Sequence, residues 1–164
     1  TQGGGGITKI GKNCLLMIGT HIAHDCIVGN NVIFANHSTL AGHVILKDNV
    51  VVGALSAIHQ FSKIGEGAMI GGMSGVTADV VPYSTVVGNR AKLSGLNILG
   101  LKRRNIEKKE ISELRKVYKY IFHNNHDTLR ERVINMKQKE FKEQTIQTFL
   151  EFLSEDSDRS FTLP

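Results

Sequence analysis

Large apolar residues recur every six positions through the first half of the chain. The series runs from Ile10 to Val76 without interruption, and a small or β-branched residue stands four positions after each member. A six-residue period excludes a helix with 3.6 residues per turn and a simple hairpin meander. It predicts a parallel β-solenoid, in which each hexapeptide gives one short strand and a turn and three hexapeptides form a triangular coil.

The other positions of the repeat predict how the coil is packed. The residue after each large apolar one is often glycine or alanine, which we expect to permit the corner between strands. Cys14 and Cys26 fall in the small-residue positions, so we interpret both as core packing rather than as catalytic thiols. Pro82 is expected to close the repeat.

The distribution of glycine divides the chain in two. All 17 glycines lie at or before Gly100, and the residues after it are highly charged. We therefore predict a mainly β protein, with a parallel β-helix over residues 1–100 and an α-helical region over 101–164. Three amphipathic helices are expected in that region, with Asp127 as the N-cap of the second.

Composition excludes several classes of protein. The net charge of +5, from 20 basic and 15 acidic residues, does not demand a nucleic-acid partner. Two cysteines cannot form a disulfide framework, which favours a reduced, cytoplasmic setting. The longest apolar stretch, residues 50–58, is far shorter than the roughly 18 residues of a membrane span.

Five of the seven histidines lie in the predicted solenoid. His24, Gly42 and Gln60 are eighteen residues apart, so we expect them to stack on one edge, about 4.8 Å apart per coil. Three further histidines are close to this column: His21, His43 and His59. The sequence thus predicts a polar, imidazole-rich column along one edge of an apolar prism.

The column has the residue types that acid–base catalysis requires. Asp25 directly follows His24, and a carboxylate beside an imidazole fixes its tautomer and raises its basicity. This pairing requires a corner that turns both side chains to one side. Gly42 is expected to leave space for a substrate and to offer its backbone N–H to an oxyanion.

Other interpretations of the histidines remain open. Solenoid edges are exposed and histidine is a common surface residue; we interpret His37 as structural and His123 and His126 as solvated. Clustered histidines also suit Zn²⁺. In that alternative, His21, His24 and His43 hold the ion, as in solenoids of the carbonic-anhydrase type.

A basic segment joins the two predicted regions. Lys102, Arg103 and Arg104 follow Gly100, and three successive cations suit the binding of phosphate. Asn97 can hydrogen-bond a base or a sugar. The alternative is a solvated basic turn at the start of a helix.

Taken together, these motifs resemble a known family, the acyl-[acyl-carrier-protein]–UDP-N-acetylglucosamine O-acyltransferases of lipid A biosynthesis. The resemblance covers the whole chain and is strongest up to Arg104. It is carried by Gln2-Gly3-Gly4-Gly5, His21-Ile22-Ala23-His24-Asp25-Cys26, Leu40-Ala41-Gly42-His43-Val44, His59-Gln60-Phe61 and Gly100-Leu101-Lys102-Arg103-Arg104.

The resemblance implies a left-handed β-helix that forms a homotrimer, with active sites between subunits. Such an enzyme transfers a 3-hydroxyacyl chain from acyl carrier protein, its co-substrate, to the 3-hydroxyl of UDP-N-acetylglucosamine, without a cofactor or metal. By similarity, His24 is the general base, Asp25 orients it and Gly42 supplies the oxyanion N–H. The implied substrate-binding residues are His21, His43, His59, Gln60, Asn97, Arg103 and Arg104.

The resemblance also has implications for the length of the acyl donor and for the part of the enzyme that this polypeptide represents. The position that ends the acyl groove in the family is Gly72 here, which implies a long 3-hydroxyacyl donor. Full-length members begin with further coils, so the chain is expected to be the C-terminal part of the enzyme. The related N-acyltransferase, which acts on the 3-O-acylated glucosamine nucleotide, is the alternative within the same pathway.

Overall fold

The computed structural model describes residues 5–124, 126–157 and 159–164. Gln2, Gly3 and Gly4, which carry part of the resemblance, lie outside the described residues. The chain has two compact units, one containing the described residues up to Asn97 together with those of Ser157–Pro164, and the other containing those of Ile98–Asp156. The domain division between residues 100 and 101 stays a prediction.

The first unit is a left-handed parallel β-helix, as the six-residue period and the resemblance predicted. Twelve two-residue strands occupy three sheets in rotation, and each of the first nine pairs with the strand eighteen residues further along, as in Lys9↔Ile27. The strands β1 to β12 are Lys9–Ile10, Leu15–Leu16, His21–Ile22, Ile27–Val28, Ile33–Phe34, Thr39–Leu40, Ile45–Leu46, Val51–Val52, Ala57–Ile58, Lys63–Ile64, Met69–Ile70 and Gly75–Val76.

The second residue of each strand points into the prism. From Val28 to Val76 these large apolar side chains are at most 3% exposed. Cys26 is fully buried, and its thiol donates to the carbonyl of Ala41 at 3.1 Å. Burial raises the pKa of the Cys26 thiol, which keeps it protonated and unreactive. The interpretation of Cys26 as core packing is thereby supported.

The corners are not made by the glycine and alanine positions, so that expectation was wrong. From Ile10 to Ile70, the left-handed backbone falls on the third residue after each large apolar one, as in Asp25, His43 and Phe61, with φ of 58°, 61° and 64°. Gly53 is required for a different reason. A Cβ at Gly53 would lie 2.5 Å from the backbone nitrogen of Gly72, because the next coil passes directly beneath it.

The repeat does not close at Pro82, contrary to the sequence prediction. A bridge joins Ile64 to Val80, and β13 (Ser84–Val87) pairs in parallel with β11 through Ile70↔Val86. In each of these pairs the two partners are sixteen residues apart in sequence, so the last coil is two residues shorter than the others. Strand β14 (Lys92–Leu96) then pairs antiparallel with β13.

The end of the chain returns to the β-helix. We call the described residues of Ser157–Pro164 the C-terminal strap. Asp79 forms a parallel bridge with Phe161, and the backbone N–H of Leu93 donates to the carbonyl of Leu163. Helical periodicity gave no indication of this segment.

The second unit contains four helices: α1 (Ile98–Arg103), α2 (Lys108–His123), α3 (Leu129–Lys137) and α4 (Gln144–Phe152). The last three were predicted, and α1 was not. The N-cap of α3 is Thr128 rather than Asp127, because Thr128 and Glu131 form a reciprocal capping box. None of the helices within the described residues has the length and apolar character needed to cross a bilayer.

Candidate active site

His24 and Asp25 form a hydrogen-bonded pair at a corner of the β-helix. His24 Nδ1 and Asp25 Oδ2 are 3.0 Å apart, and the backbone N–H of Gly6 donates to Asp25 Oδ1 at 2.6 Å. The left-handed φ of Asp25 turns the two neighbouring side chains toward each other, which is the corner geometry that the pairing required. The His24 side chain is 51% exposed, whereas that of Asp25 is only 5% exposed. The pair therefore presents an accessible imidazole on a buried carboxylate.

Gly42 lies one coil beyond His24, and the imidazole ring of His24 packs against it. A Cβ at Gly42 would lie 2.5 Å from His24 Cε1, so the imidazole fills the space that the glycine leaves. The expectation that a substrate occupies this space was wrong for that reason. The Gly42 carbonyl accepts from the N–H of Phe61 at 3.2 Å. Among the hydrogen bonds of the described residues, the N–H of Gly42 donates none.

A row of rings extends from His24 along the edge. The His24 and His43 rings meet edge to face with centroids 5.1 Å apart, and His43 stacks on Phe61 at 4.7 Å and 13°. Phe61 is the member of this row that sequence analysis missed. The available signal was the eighteen-residue spacing of Asp25, His43 and Phe61.

The same cluster contains three potential metal ligands. One ligand atom each from His24, Asp25 and His43 lies within 4.8 Å of the others. Two imidazoles and a carboxylate are ligands that zinc accepts. The zinc alternative placed His21 in this set instead of Asp25. His21 lies in β3 opposite Thr39 and does not belong to the group.

His59 and Gln60 follow β9 on the same edge, and both are exposed. The Nδ1 of His59 lies 2.9 Å from Nη2 of Arg159 and 3.3 Å from the carbonyl oxygen of Gln60. Arg159 belongs to the C-terminal strap and was not among the predicted site residues. No repeat position or motif in the sequence connects it with His59.

The predicted nucleotide-binding residues belong to different units. In the first unit, Asn97 uses its side-chain amide to donate to the Gly67 carbonyl at 3.0 Å, and its backbone N–H donates to Tyr83 at 2.7 Å. Arg103 is the exposed last residue of α1 in the second unit, and the half-buried Arg104 follows it.

Gly72 is exposed and has room for a side chain. The nearest neighbour of a Cβ at this position is the Ala54 carbonyl at 3.4 Å, an ordinary van der Waals distance. Gly72 follows β11, whereas His24 follows β3, and these strands belong to different sheets. Within one chain, Gly72 and His24 therefore lie on different edges of the prism.

The histidine–carboxylate pair thus lies on the edge of a prism of hexapeptide coils, which is the architecture of the hexapeptide-repeat class of proteins. Residues 7–42 match the family described as bacterial transferase hexapeptide (six repeats). Residues 79–162, which are more than half of the chain, match the family described as UDP N-acetylglucosamine O-acyltransferase, domain 2. The chain belongs to this O-acyltransferase family.

Individual relatives agree with this assignment. An acyl-[acyl-carrier-protein]–UDP-N-acetylglucosamine O-acyltransferase from Paracoccus denitrificans is 44% identical over the whole chain and 61% of its own length. One from Nautilia profundicola is 53% identical over 74% of the chain and 47% of its own length. The solved UDP-N-acetylglucosamine acyltransferase from Campylobacter jejuni is 41% identical, with a TM-score of 0.92 over 100% of this chain and 63% of that one. The chain thus spans less than two thirds of the length of these relatives.

Proposed function

We propose that the chain carries the catalytic part of an O-acyltransferase that transfers a 3-hydroxyacyl chain from acyl carrier protein to the 3-hydroxyl of UDP-N-acetylglucosamine, the first step of lipid A biosynthesis. The observation that carries the proposal is the His24–Asp25 pair seated on Gly42. The names of the relatives support the same substrates.

The mechanism follows from the orientation of the pair. When Nδ1–H of His24 donates to Asp25, Nε2 is the nitrogen without a proton and acts as the base. Nε2 accepts the proton of the sugar 3-hydroxyl while the hydroxyl oxygen attacks the thioester carbon. The π electrons of the thioester C=O move onto the carbonyl oxygen, which becomes the oxyanion. The N–H of Gly42 is the proposed donor to this oxyanion. Collapse breaks the C–S bond, and the imidazolium returns the proton to the departing thiolate.

The remaining features of the proposal concern assembly and location. We assign His21, His43, His59 and Gln60 to the substrate cleft, and Asn97, Arg103 and Arg104 to the nucleotide or the carrier's phosphopantetheine. The working enzyme is proposed to be a cytoplasmic homotrimer. Exposed apolar side chains on the outer positions of the strands, such as Ile27 at 47% and Ile33 at 37%, suit a surface between subunits.

The function is tested with a chimera, because the chain spans only 61% of the Paracoccus relative. The chain replaces the matching segment of that relative, and transfer from 3-hydroxyacyl–acyl carrier protein to UDP-N-acetylglucosamine is measured. The 3-O-acylated glucosamine nucleotide is offered in parallel. Preference for this second acceptor would identify the N-acyltransferase instead, and loss of activity on chelation would favour the zinc alternative.

Replacing both Arg103 and Arg104 with alanine is expected to raise KM about tenfold to a hundredfold, because two charge-assisted contacts to phosphate are lost. The salt dependence of KM is expected to weaken in the same variant. The control replaces Lys108 and Lys109, two exposed cations at the start of α2, and removes the same charge. An unchanged KM for both nucleotide and carrier would contradict the assignment.

Replacing Gly72 with methionine is expected to shift donor preference toward shorter acyl chains, by about tenfold in the ratio of kcat/KM values. The reason is that the thioether would project from an exposed position into the proposed acyl groove, which runs between subunits. Gly72 does not have a left-handed φ, and the space around it is open. The substitution is therefore not expected to disturb the coil. Gly72→Ala is the control. Equal donor preference in the wild type and the methionine variant would show that Gly72 does not determine the acyl-chain length.

A further inference from the structure

The C-terminal strap is fixed to the β-helix by a buried carboxylate. Asp79 is 1% exposed, and its Oδ2 accepts from the hydroxyl of Ser157 at 2.5 Å. Its backbone N–H donates to Ser160 at 2.9 Å, and its carbonyl accepts from the N–H of Thr162 at 2.7 Å. These contacts bracket Arg159 on both sides. The guanidinium of Arg159 is thus presented to His59 from an anchored backbone.

The contact between Arg159 and His59 determines which ring nitrogen carries the proton. A guanidinium has five N–H donors and no acceptor, and it stays charged at any physiological pH. The Arg159 Nη2 to His59 Nδ1 distance of 2.9 Å is therefore a hydrogen bond only when Nδ1 has a free lone pair. In a neutral ring, the proton must then reside on Nε2.

The structure also contains the competing arrangement. The Gln60 carbonyl lies 3.3 Å from the same Nδ1 and could accept from it only if Nδ1 carried the proton. The Arg159 contact is shorter and comes from a charged donor, so it prevails. Removal of Arg159 would leave the Gln60 carbonyl as the partner of Nδ1 and favour the other tautomer.

We infer that Arg159 is a positioning residue that holds His59 as the neutral Nε2–H tautomer, so that His59 acts as a hydrogen-bond donor to the sugar nucleotide. The role of His59 toward the nucleotide rests on the proposed function, whereas the tautomer does not. Arg159 acts through His59 and makes no contact with the substrate itself.

The tautomer is measured on the 164-residue chain labelled with ¹⁵N-histidine. Long-range ¹H–¹⁵N spectra are recorded near pH 8.5, well above the usual histidine pKa of about 6.5. The wild type is expected to show an unprotonated Nδ1 at His59. Arg159→Ala is expected to increase the Nδ1–H population, while Arg159→Lys, another donor without an acceptor, keeps the wild-type pattern.

The exposed Arg90 provides the matched control. Arg90→Ala removes the same charge from the same unit and is expected to leave the His59 signals unchanged. A protonated Nδ1 in the wild type would overturn the inference, and this needs no variant to fold. An unchanged spectrum in a folded Arg159→Ala would overturn it as well.

A double-mutant cycle in the chimera with the Paracoccus relative tests whether Arg159 acts through His59. Arg159→Ala is expected to weaken the binding of UDP-N-acetylglucosamine about tenfold, and to have no further effect when His59 is already alanine. A loss that persists without His59 would mean direct contact with the ligand and would overturn the positioning role. If the wild-type chain shows the expected spectrum but the chimera does not bind the nucleotide sugar, the proposed function fails and the tautomer assignment stands.

Discussion

Replacing His24 with alanine is expected to lower kcat for acyl transfer about a thousandfold, because a positioned general base contributes roughly 10² to 10⁴ in rate. The fold should survive, since the His24 side chain is 51% exposed and Gly42 beneath it is backbone only. The assay is transfer to UDP-N-acetylglucosamine in the chimera with the Paracoccus relative. Circular dichroism of the variant verifies the β-helix.

The matched control for this substitution is His37→Ala. His37 is also exposed and also lies at a corner, where the left-handed φ of 57° is its own rather than that of the following residue, and its ring lies against Gly19 as the His24 ring lies against Gly42. Among the described residues, His24 has a carboxylate partner at 3.0 Å and His37 has none. The control is expected to retain nearly full activity. Near-normal turnover in His24→Ala, or equal losses in both variants, would exclude the proposed base.

Replacing Gly53 with alanine is expected to lower the free energy of unfolding by about 2–3 kcal/mol, because overpacking a tight site costs on this scale. The added Cβ would lie 2.5 Å from Gly72 N and 2.7 Å from Ile70 O, both of them backbone atoms of the next coil. Neither atom can swing away as a side chain does, so the coils must separate locally. The midpoint and slope of urea denaturation measure the change.

Gly72→Ala is the control for this stability prediction. It adds the same methyl group one coil away, at a site where the nearest atom is 3.4 Å distant. Without a positive φ at Gly72, the substitution is expected to be neutral or to stabilise by about 0.4–1 kcal/mol through the unfolded state. A Gly53→Ala variant as stable as Gly72→Ala would show that coil spacing does not restrict this position.

The β-helix could be predicted from the sequence because one physical constraint repeats. Each coil must fill the same narrow interior, so a large apolar residue is required at every sixth position, as Phe34 and Leu40 illustrate. The pairing of strands eighteen residues apart follows directly, and it placed His24 over Gly42. The conformation of the corners was less accessible, since non-glycine residues such as Asp25 and Phe61 adopt a left-handed φ there.

The contacts made by the end of the chain could not be predicted. Arg159 reaches His59 across a hundred residues of sequence, and the strap that carries it is held by hydrogen bonds between Asp79 and Ser157, Ser160 and Thr162, which have no periodic signature. The N-cap of α3 is a second feature that could not be predicted with certainty, in this case among neighbouring residues. Asp127 and Thr128 are both good N-cap residues, and the choice of Thr128 depends on Glu131 standing three positions later.

The shortened final coil has a consequence for how the β-helix stops growing. Each of its three sheets would otherwise end in a bare strand, and bare edges recruit strands from other molecules. Here β14 runs antiparallel along one sheet, the strap pairs with Asp79 beside the second, and Gly75 of the third exchanges backbone hydrogen bonds with Gly88 and Ala91. A further parallel coil has no template to extend. This end of the β-helix is thereby protected from edge-to-edge association with another copy.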